Sequence, residues 1–110
     1  MKKPSKDIVL VLVTTANQRQ ALRISEMSVT SRLAACANIL PGVKSIFRWK
    51  GKITRGKEVL LILKTTKARF RPLEKLIKTL HSYEVPEIIA IAIQSGSQQY
   101  LEWVLSETNN

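Results

Sequence analysis

The sequence contains one cysteine, Cys36, and one histidine, His81, among 110 residues. A single cysteine excludes an intramolecular disulfide, and nothing in the sequence therefore requires an oxidising compartment. Paired-cysteine motifs, glycine-rich phosphate loops and a serine–histidine–aspartate order are all missing. The sequence thus lacks the usual signs of a closed metal site, a nucleotide site or a nucleophilic enzyme.

Long apolar runs are missing too. No stretch approaches the roughly 18 apolar residues of a membrane span. The apolar run at residues 8–13 is also shorter than the core of a secretory signal, and we interpret it as a buried strand. We therefore predict a cytoplasmic protein with no membrane partner. The hydrophobic fraction of 45% suits one core, so we expect a single domain over residues 1–110, ordered from about 7 to 106.

Acidic residues are scarce. Eight Asp and Glu face 18 Lys and Arg, which gives a net charge of +10. A positive field of this kind attracts polyanions. The basic residues are densest at 48–52, with Arg55 and Lys57 close behind, but aromatic residues do not interleave with them as a single-strand binding platform requires. Two interpretations remain open: a solvated surface that favours solubility, and a binding surface for non-specific polyanion partners.

The remaining sequence alternates between strand-like and helix-like patterns. Strands are indicated by β-branched and leucine runs, and helices by apolar stripes at a period of 3.6 residues. The predicted order is a strand at 7–14, a helix at 18–34, strands at 43–53 and 58–65, a helix from about 69 to His81, a strand at 87–94 and a short last helix.

Turn and cap residues refine these boundaries. Pro41 lies inside an extended stretch, which predicts a bulge or an edge position because proline cannot donate to a sheet. Residues 54–57 predict the hairpin turn. Thr66 and Ser97 predict helix N-caps, and Pro72 is expected in the first turn of its helix, where its missing N–H costs little.

This order of elements predicts an α+β fold, the ferredoxin-like sandwich of β-α-β-β-α-β topology with an added C-terminal helix. The two middle strands are long for a small sandwich, so their hairpin would project beyond the sheet and expose strand edges. Native proteins cover or pair such edges. We therefore predict a homo-oligomer in which strands of neighbouring subunits close a ring.

Several segments, in order, resemble the CutA family of divalent-cation tolerance proteins. The resemblance runs from about residue 8 to residue 105. Its segments are residues 33–39 (LAACANI), 41–46 (PGVKSI), 49–53 (WKGKI), 58–65 (EVLLILKT), 81–88 (HSYEVPEI) and 100–103 (YLEW).

The resemblance implies a ferredoxin-like protomer in a tight homotrimer, a link to tolerance of divalent metals and of copper in particular, and no established enzymatic reaction. Three positions depart from the family pattern. Lys50 stands where an acidic residue is common, Ser82 where proline is common, and Val13 where some members have cysteine. The added positive charge at residue 50 reduces the attraction of cations to that segment.

Cys36, His81 and Glu84 are the candidate metal ligands. Thiolate and imidazole suit copper, and a third ligand would come from Glu84, from Tyr83 or from a neighbouring subunit. Each has a structural alternative: Cys36 as a small buried hydrophobic residue, His81 as the cap of a helix C-terminus, and Glu84 as a member of an ion pair.

Tyr83, Glu84, Lys64 and Trp49 are the candidate residues for a small ligand at a cleft between subunits. Trp49 has an alternative interpretation as a packing residue at a subunit contact. The leading hypothesis is a non-enzymatic trimeric protein that binds either a divalent metal, such as copper, or a small ligand. The alternative is a basic trimeric scaffold or signalling protein for anionic partners. A hydrolase or transferase would rest on the carboxylates alone and is the weakest hypothesis.

Overall fold

A computed structural model describes residues 7–109, which form a four-stranded antiparallel sheet with three helices. The strand order is β2-β3-β1-β4. Within the described residues, no helix is long and apolar enough to cross a membrane. In chain order the elements are β1 (Ile8–Thr15), α1 (Gln18–Thr30), β2 (Cys36–Trp49), β3 (Lys52–Thr66), α2 (Lys67–Leu80), β4 (Ile88–Ala92) and α3 (Gln98–Glu107).

The core lies between one face of the sheet and helices α1 and α2. Alternate residues of a strand point to opposite faces, so one face of β1 and β3 is fully buried against these helices. The α+β sandwich predicted from the sequence is confirmed. The buried residues on this side include Val9, Val11 and Val13 of β1, Leu61 and Leu63 of β3, Ala21 and Ile24 of α1, and Leu73 and Ile77 of α2.

The opposite face of the sheet, here called the open face, is apolar and largely uncovered. On β4, Ile89 is 49% exposed and Ile91 is 46% exposed. Helix α3 covers only one end of this face, where Leu101 and Val104 pack on Ile8. The other apolar residues of the open face, by strand register, are Leu10 and Leu12 of β1, Leu60 and Ile62 of β3, and Leu40 of β2. Cys36, Asn38 and Lys64 lie on the same face.

Strands β2 and β3 form a hairpin that extends past the rest of the sheet, and the molecule measures 50 × 26 × 22 Å. The bulge predicted at Pro41 is confirmed by a register shift between Leu40 and Val43. The turn predicted at residues 54–57 is wrong. The chain reverses at Lys50 and Gly51, whose φ angles are +49° and +78°, as a two-residue hairpin turn of left-handed conformation requires.

Other boundaries also differ from prediction. Helix α1 ends at Thr30, four residues early, because Arg32 adopts a φ of +61° and the N–H groups of Leu33 and Ala34 return to the Ser28 carbonyl. Strand β2 begins at Cys36, and β4 is limited to Ile88–Ala92. Because α2 begins at Lys67, Pro72 lies in its second turn.

Thr66 and Ser97 occupy the predicted N-cap positions of α2 and α3. Neither side chain makes a capping hydrogen bond, so only the positions of these caps are confirmed. Asn17 takes this role for α1, where its side chain accepts a hydrogen bond from the Gln20 N–H.

Candidate functional site

His81 connects the end of α2 to the edge of the sheet. Its Nε2 lies 2.7 Å from the carbonyl oxygen of Thr14, and its Nδ1 lies 3.1 Å from the backbone nitrogen of Tyr83. A carbonyl only accepts, so Nε2 carries the hydrogen and Nδ1 accepts from the Tyr83 N–H. Both ring nitrogens of His81 are therefore in use, and a metal ion would have to replace one of these hydrogen bonds.

Tyr83 turns back toward β3, and its hydroxyl donates a 2.9 Å hydrogen bond to Oε2 of Glu58. Its ring also lies 4.7 Å from the His81 ring, centroid to centroid. Burial, together with the Glu58 carboxylate, raises the pKa of Tyr83 to about 12. The phenol therefore stays protonated at neutral pH and acts as a donor that fixes the Glu58 side chain.

A groove of about 800 Å³ opens beside this pair, between the hairpin and the segment that follows α2. Two of its aromatic residues, Phe47 and Trp49, remain 42% and 40% exposed. A volume of this size falls within the range of small-molecule sites. The groove is lined by Thr14, Lys44, Ser45, Ile46, Phe47, Trp49, Thr54 and Glu58, and by Ser82, Tyr83, Glu84, Val85 and Glu87.

The groove brings together three of the four residues predicted to hold a small ligand: Trp49, Tyr83 and Glu84. Its carboxylates are Glu58, Glu84 and Glu87, and no ion pair within residues 7–109 involves them. The aromatic and carboxylate side chains together can accept hydrogen bonds and contact a cationic or aromatic group.

Lys64, the fourth predicted residue, lies elsewhere, beside Cys36. Its Nζ is 3.8 Å from the Cys36 sulfur and also donates to the side-chain oxygen of Asn38. Tyr100 of α3 completes this cluster, and burial and the neighbouring Cys36 raise the pKa of its phenol. Cys36 is only partly buried within one chain. The alternative interpretation of Cys36 as a small buried hydrophobic residue therefore does not describe the single chain.

The predicted metal ligands do not converge within one chain. In the sheet register, Cys36 lies opposite Lys64, and Lys64 lies opposite Leu10 of β1. His81 instead binds the carbonyl oxygen of Thr14, four residues further along β1. Four residues of strand span roughly 13 Å. In residues 7–109, no group of three or more His, Cys, Asp and Glu side chains is placed to hold a metal ion.

Glu58 and Thr14 belong to the site but were not predicted from the sequence as site residues. Glu58 carried a signal, since it is the one acidic residue of the segment predicted as a strand at 58–65 and it directly precedes the apolar run at 59–63. Thr14 gave no such signal in the sequence. It contributes only its backbone carbonyl oxygen, which binds a histidine 67 residues later in the chain.

Comparison with known proteins gives consistent matches. The sequence profile of the family described as CutA1 divalent ion tolerance protein matches residues 9–107. The Divalent-cation tolerance protein CutA of Thermus thermophilus is 43% identical over 99 residues, which cover 90% of this chain and 96% of that protein.

Two further similarities come from a plant and from a solved structure. Protein CutA, chloroplastic, of Arabidopsis thaliana is 39% identical over 112 residues, and this chain spans 62% of its length. The crystal structure of CutA from Xylella fastidiosa superposes with a TM-score of 0.91 at 36% identity, covering 94% of this chain and 99% of that one.

Proposed function

Because this chain belongs to the CutA1 divalent ion tolerance family, we propose that it is a non-enzymatic homotrimer that holds a divalent metal ion or a small ligand in clefts between subunits. The observation that carries the proposal is the groove. Trp49 on the hairpin, and Tyr83 and Glu84 on the facing segment, line a cavity large enough for a ligand.

The open face supports the assembly. By strand register, the hairpin side that carries Phe47 and Trp49 continues the open face, since Glu58 follows the same alternation as Leu60 and Ile62. The groove thus borders the apolar surface that a second subunit would bury. Contiguous exposed apolar surface of this kind is typical of protein interfaces. The proposal of three subunits, rather than another number, rests on the family resemblance.

The metal site would need more than one subunit. Cys36 and His81 lie too far apart in one chain to share an ion, and His81 has no free ring nitrogen. Glu84 is exposed in the groove and free to bind. The Cys36 thiol is a soft ligand of the type that favours copper. A neighbouring subunit would supply the ligands that one chain does not bring together.

Calorimetric titration with Cu²⁺ tests the proposal. The wild type is compared with Glu84→Gln and Cys36→Ala, and with Glu26→Gln, which removes an exposed carboxylate of α1 that does not line the groove. We expect loss of a ligand to weaken binding by about tenfold or more, about 1.4 kcal/mol, with Glu26→Gln unchanged. Equal affinity in all four proteins would remove both residues from the metal site.

The compartment and the domain limits complete the proposal. A cytoplasmic location agrees with the single cysteine, although the plant relative is named chloroplastic. A single domain over residues 1–110 agrees with the single sheet of the described residues. Fractionation of cells that express the tagged chain would test the cytoplasmic location.

A further inference from the structure

The far side of the hairpin carries a second surface, here called the basic face. Residues directly opposite in an antiparallel pair share one side of a sheet. The register therefore separates the hairpin into the groove side, with Phe47 and Trp49, and the side away from it. The basic face consists of three opposed pairs: Lys44 with Lys57, Ile46 with Arg55, and Arg48 with Ile53.

This face has four cations and no acidic side chain. Lys44 lies directly opposite Lys57, and Arg48 is a diagonal neighbour of Arg55. Like charges directly opposite each other destabilise a strand pair, and diagonal neighbours are still within reach of long side chains. No ion pair within residues 7–109 involves any of the four. The hairpin therefore keeps a repulsion that an anionic partner would relieve.

The two apolar residues on this face are unusually exposed. Ile46 is 68% exposed and Ile53 is 58% exposed, and each lies directly across from an arginine. Lys44 and Ile46 also border the groove near the base of the hairpin, so Arg48, Ile53, Arg55 and Lys57 distinguish the basic face from the groove.

The basic face stays accessible if subunits associate through the open face. Lys57 follows the same alternation as Val59, which points toward α1 and α2. The basic face is thus on the helix side of the sheet, and the open face is on the other. An assembly that buries the open face leaves the cations of each hairpin turned away from the contact.

We propose that the basic face binds double-stranded DNA through its phosphate backbone, independently of base sequence. A two-stranded β-ribbon fits the major groove of a duplex, and ribbons that bind DNA lie in either groove. Lysine and arginine contact phosphates, while exposed isoleucines are suited to the sugars and base edges of a groove.

The chemistry of the face favours a duplex over two other polyanions. A single strand is bound mainly by aromatic stacking, and the aromatic residues of the hairpin lie on the groove side. Contacts from lysine and arginine to phosphate oxygens carry no sequence information, so binding through the backbone is independent of base sequence. An anionic membrane surface could attract the same cations and isoleucines, and it is an outcome of the test.

Fluorescence anisotropy with a short labelled DNA duplex of mixed sequence, titrated over a range of salt concentrations, tests the proposal. The wild-type protein is compared with the triple variant Arg48→Gln/Arg55→Gln/Lys57→Gln. Each phosphate contact contributes about 0.9 to the slope of log K against log salt. We expect the variant to lose up to about 2.7 of this slope.

The matched control is Arg23→Gln/Lys67→Gln/Lys75→Gln, which removes three exposed positive charges from α1 and α2. The control should keep the wild-type slope. Equal loss in both variants would show attraction by net charge alone and overturn the proposal, as would no binding by the wild type at low salt.

Two further measurements separate the remaining alternatives. Cosedimentation with vesicles containing phosphatidylserine, in the absence of duplex binding, would assign the face to a membrane and overturn the proposal. Loss of the oligomer in the hairpin variant by light scattering would assign the face to a subunit contact and also overturn it. The variant leaves Trp49, Tyr83 and Glu84 intact, so failure here leaves the proposed ligand cleft unaffected.

Discussion

At the scale of single residues, His81 and Tyr83 bind the segment after α2 to the sheet. His81 connects it to Thr14 of β1, and Tyr83 connects it to Glu58 of β3. Both side chains thus stabilise one wall of the groove. Glu84, the next residue, is left exposed by this arrangement and is a carboxylate of the groove that a ligand can reach.

The raised pKa of Tyr83 predicts a loss of stability in alkaline solution. Since the pKa is near 10 in an unfolded chain and about 12 here, the folded protein favours the protonated phenol. The stabilisation from this group is fully present below about pH 10 and is lost as the pH rises through about 12. Urea unfolding over this range should show the decline.

Tyr83→Phe is the control for this prediction. It removes the hydrogen bond to Glu58, which costs about 1 kcal/mol at neutral pH, and it removes this titration. Tyr100 also has a raised pKa and remains in both proteins. The difference in unfolding free energy between the two proteins should therefore shrink with rising pH, and a constant difference would contradict the assignment.

At the scale of elements, the hairpin turn depends on one glycine. Gly51 has a φ of +78°, and a Cβ there would contact nothing within 4 Å, so only the backbone conformation opposes substitution. We expect Gly51→Ala to lower the unfolding free energy by about 1 kcal/mol, because an L-residue in the left-handed region is strained.

Gly56 provides a matched control on the same hairpin. It also has open space around its Cβ position, but its φ is not in the left-handed region. Gly56→Ala should be neutral or slightly stabilising, because alanine loses less backbone entropy than glycine on folding. Equal destabilisation by both substitutions in thermal unfolding would count against the turn at Lys50 and Gly51.

At the scale of the whole molecule, the open face predicts self-association. Ile89→Lys/Ile91→Lys places two charges in the apolar surface that the proposed assembly buries, and the cost of burying them should dissociate the proposed trimer. Multi-angle light scattering at micromolar concentration measures the mass directly.

Leu22→Lys/Val29→Lys is the corresponding control on α1, where both residues are at least 40% exposed on the helix side of the sheet. This variant should retain the oligomer. A wild-type protein that is monomeric at the same concentration would reject the assembly altogether.

The local pattern of the chain was enough to predict the order of its elements. Apolar runs and helical stripes indicate strands and helices through short-range periodicity, and Pro41 indicates its bulge because proline cannot donate. The turn could not be chosen in this way. Both the 50–51 and the 54–57 segments contain glycine and lysine, and only the pairing of β2 with β3 decides between them.

The sequence by itself therefore determined the fold class, the family resemblance and the surplus of positive charge. The tertiary structure decided which side chains share a surface. Cys36 and His81 are separated by the four residues from Leu10 to Thr14 of β1. Both ring nitrogens of His81 are also engaged in hydrogen bonds to the backbone. The tertiary structure also divided the hairpin into a groove side and a basic face. These outcomes depend on strand register and on contacts between residues far apart in sequence, which no local pattern contains.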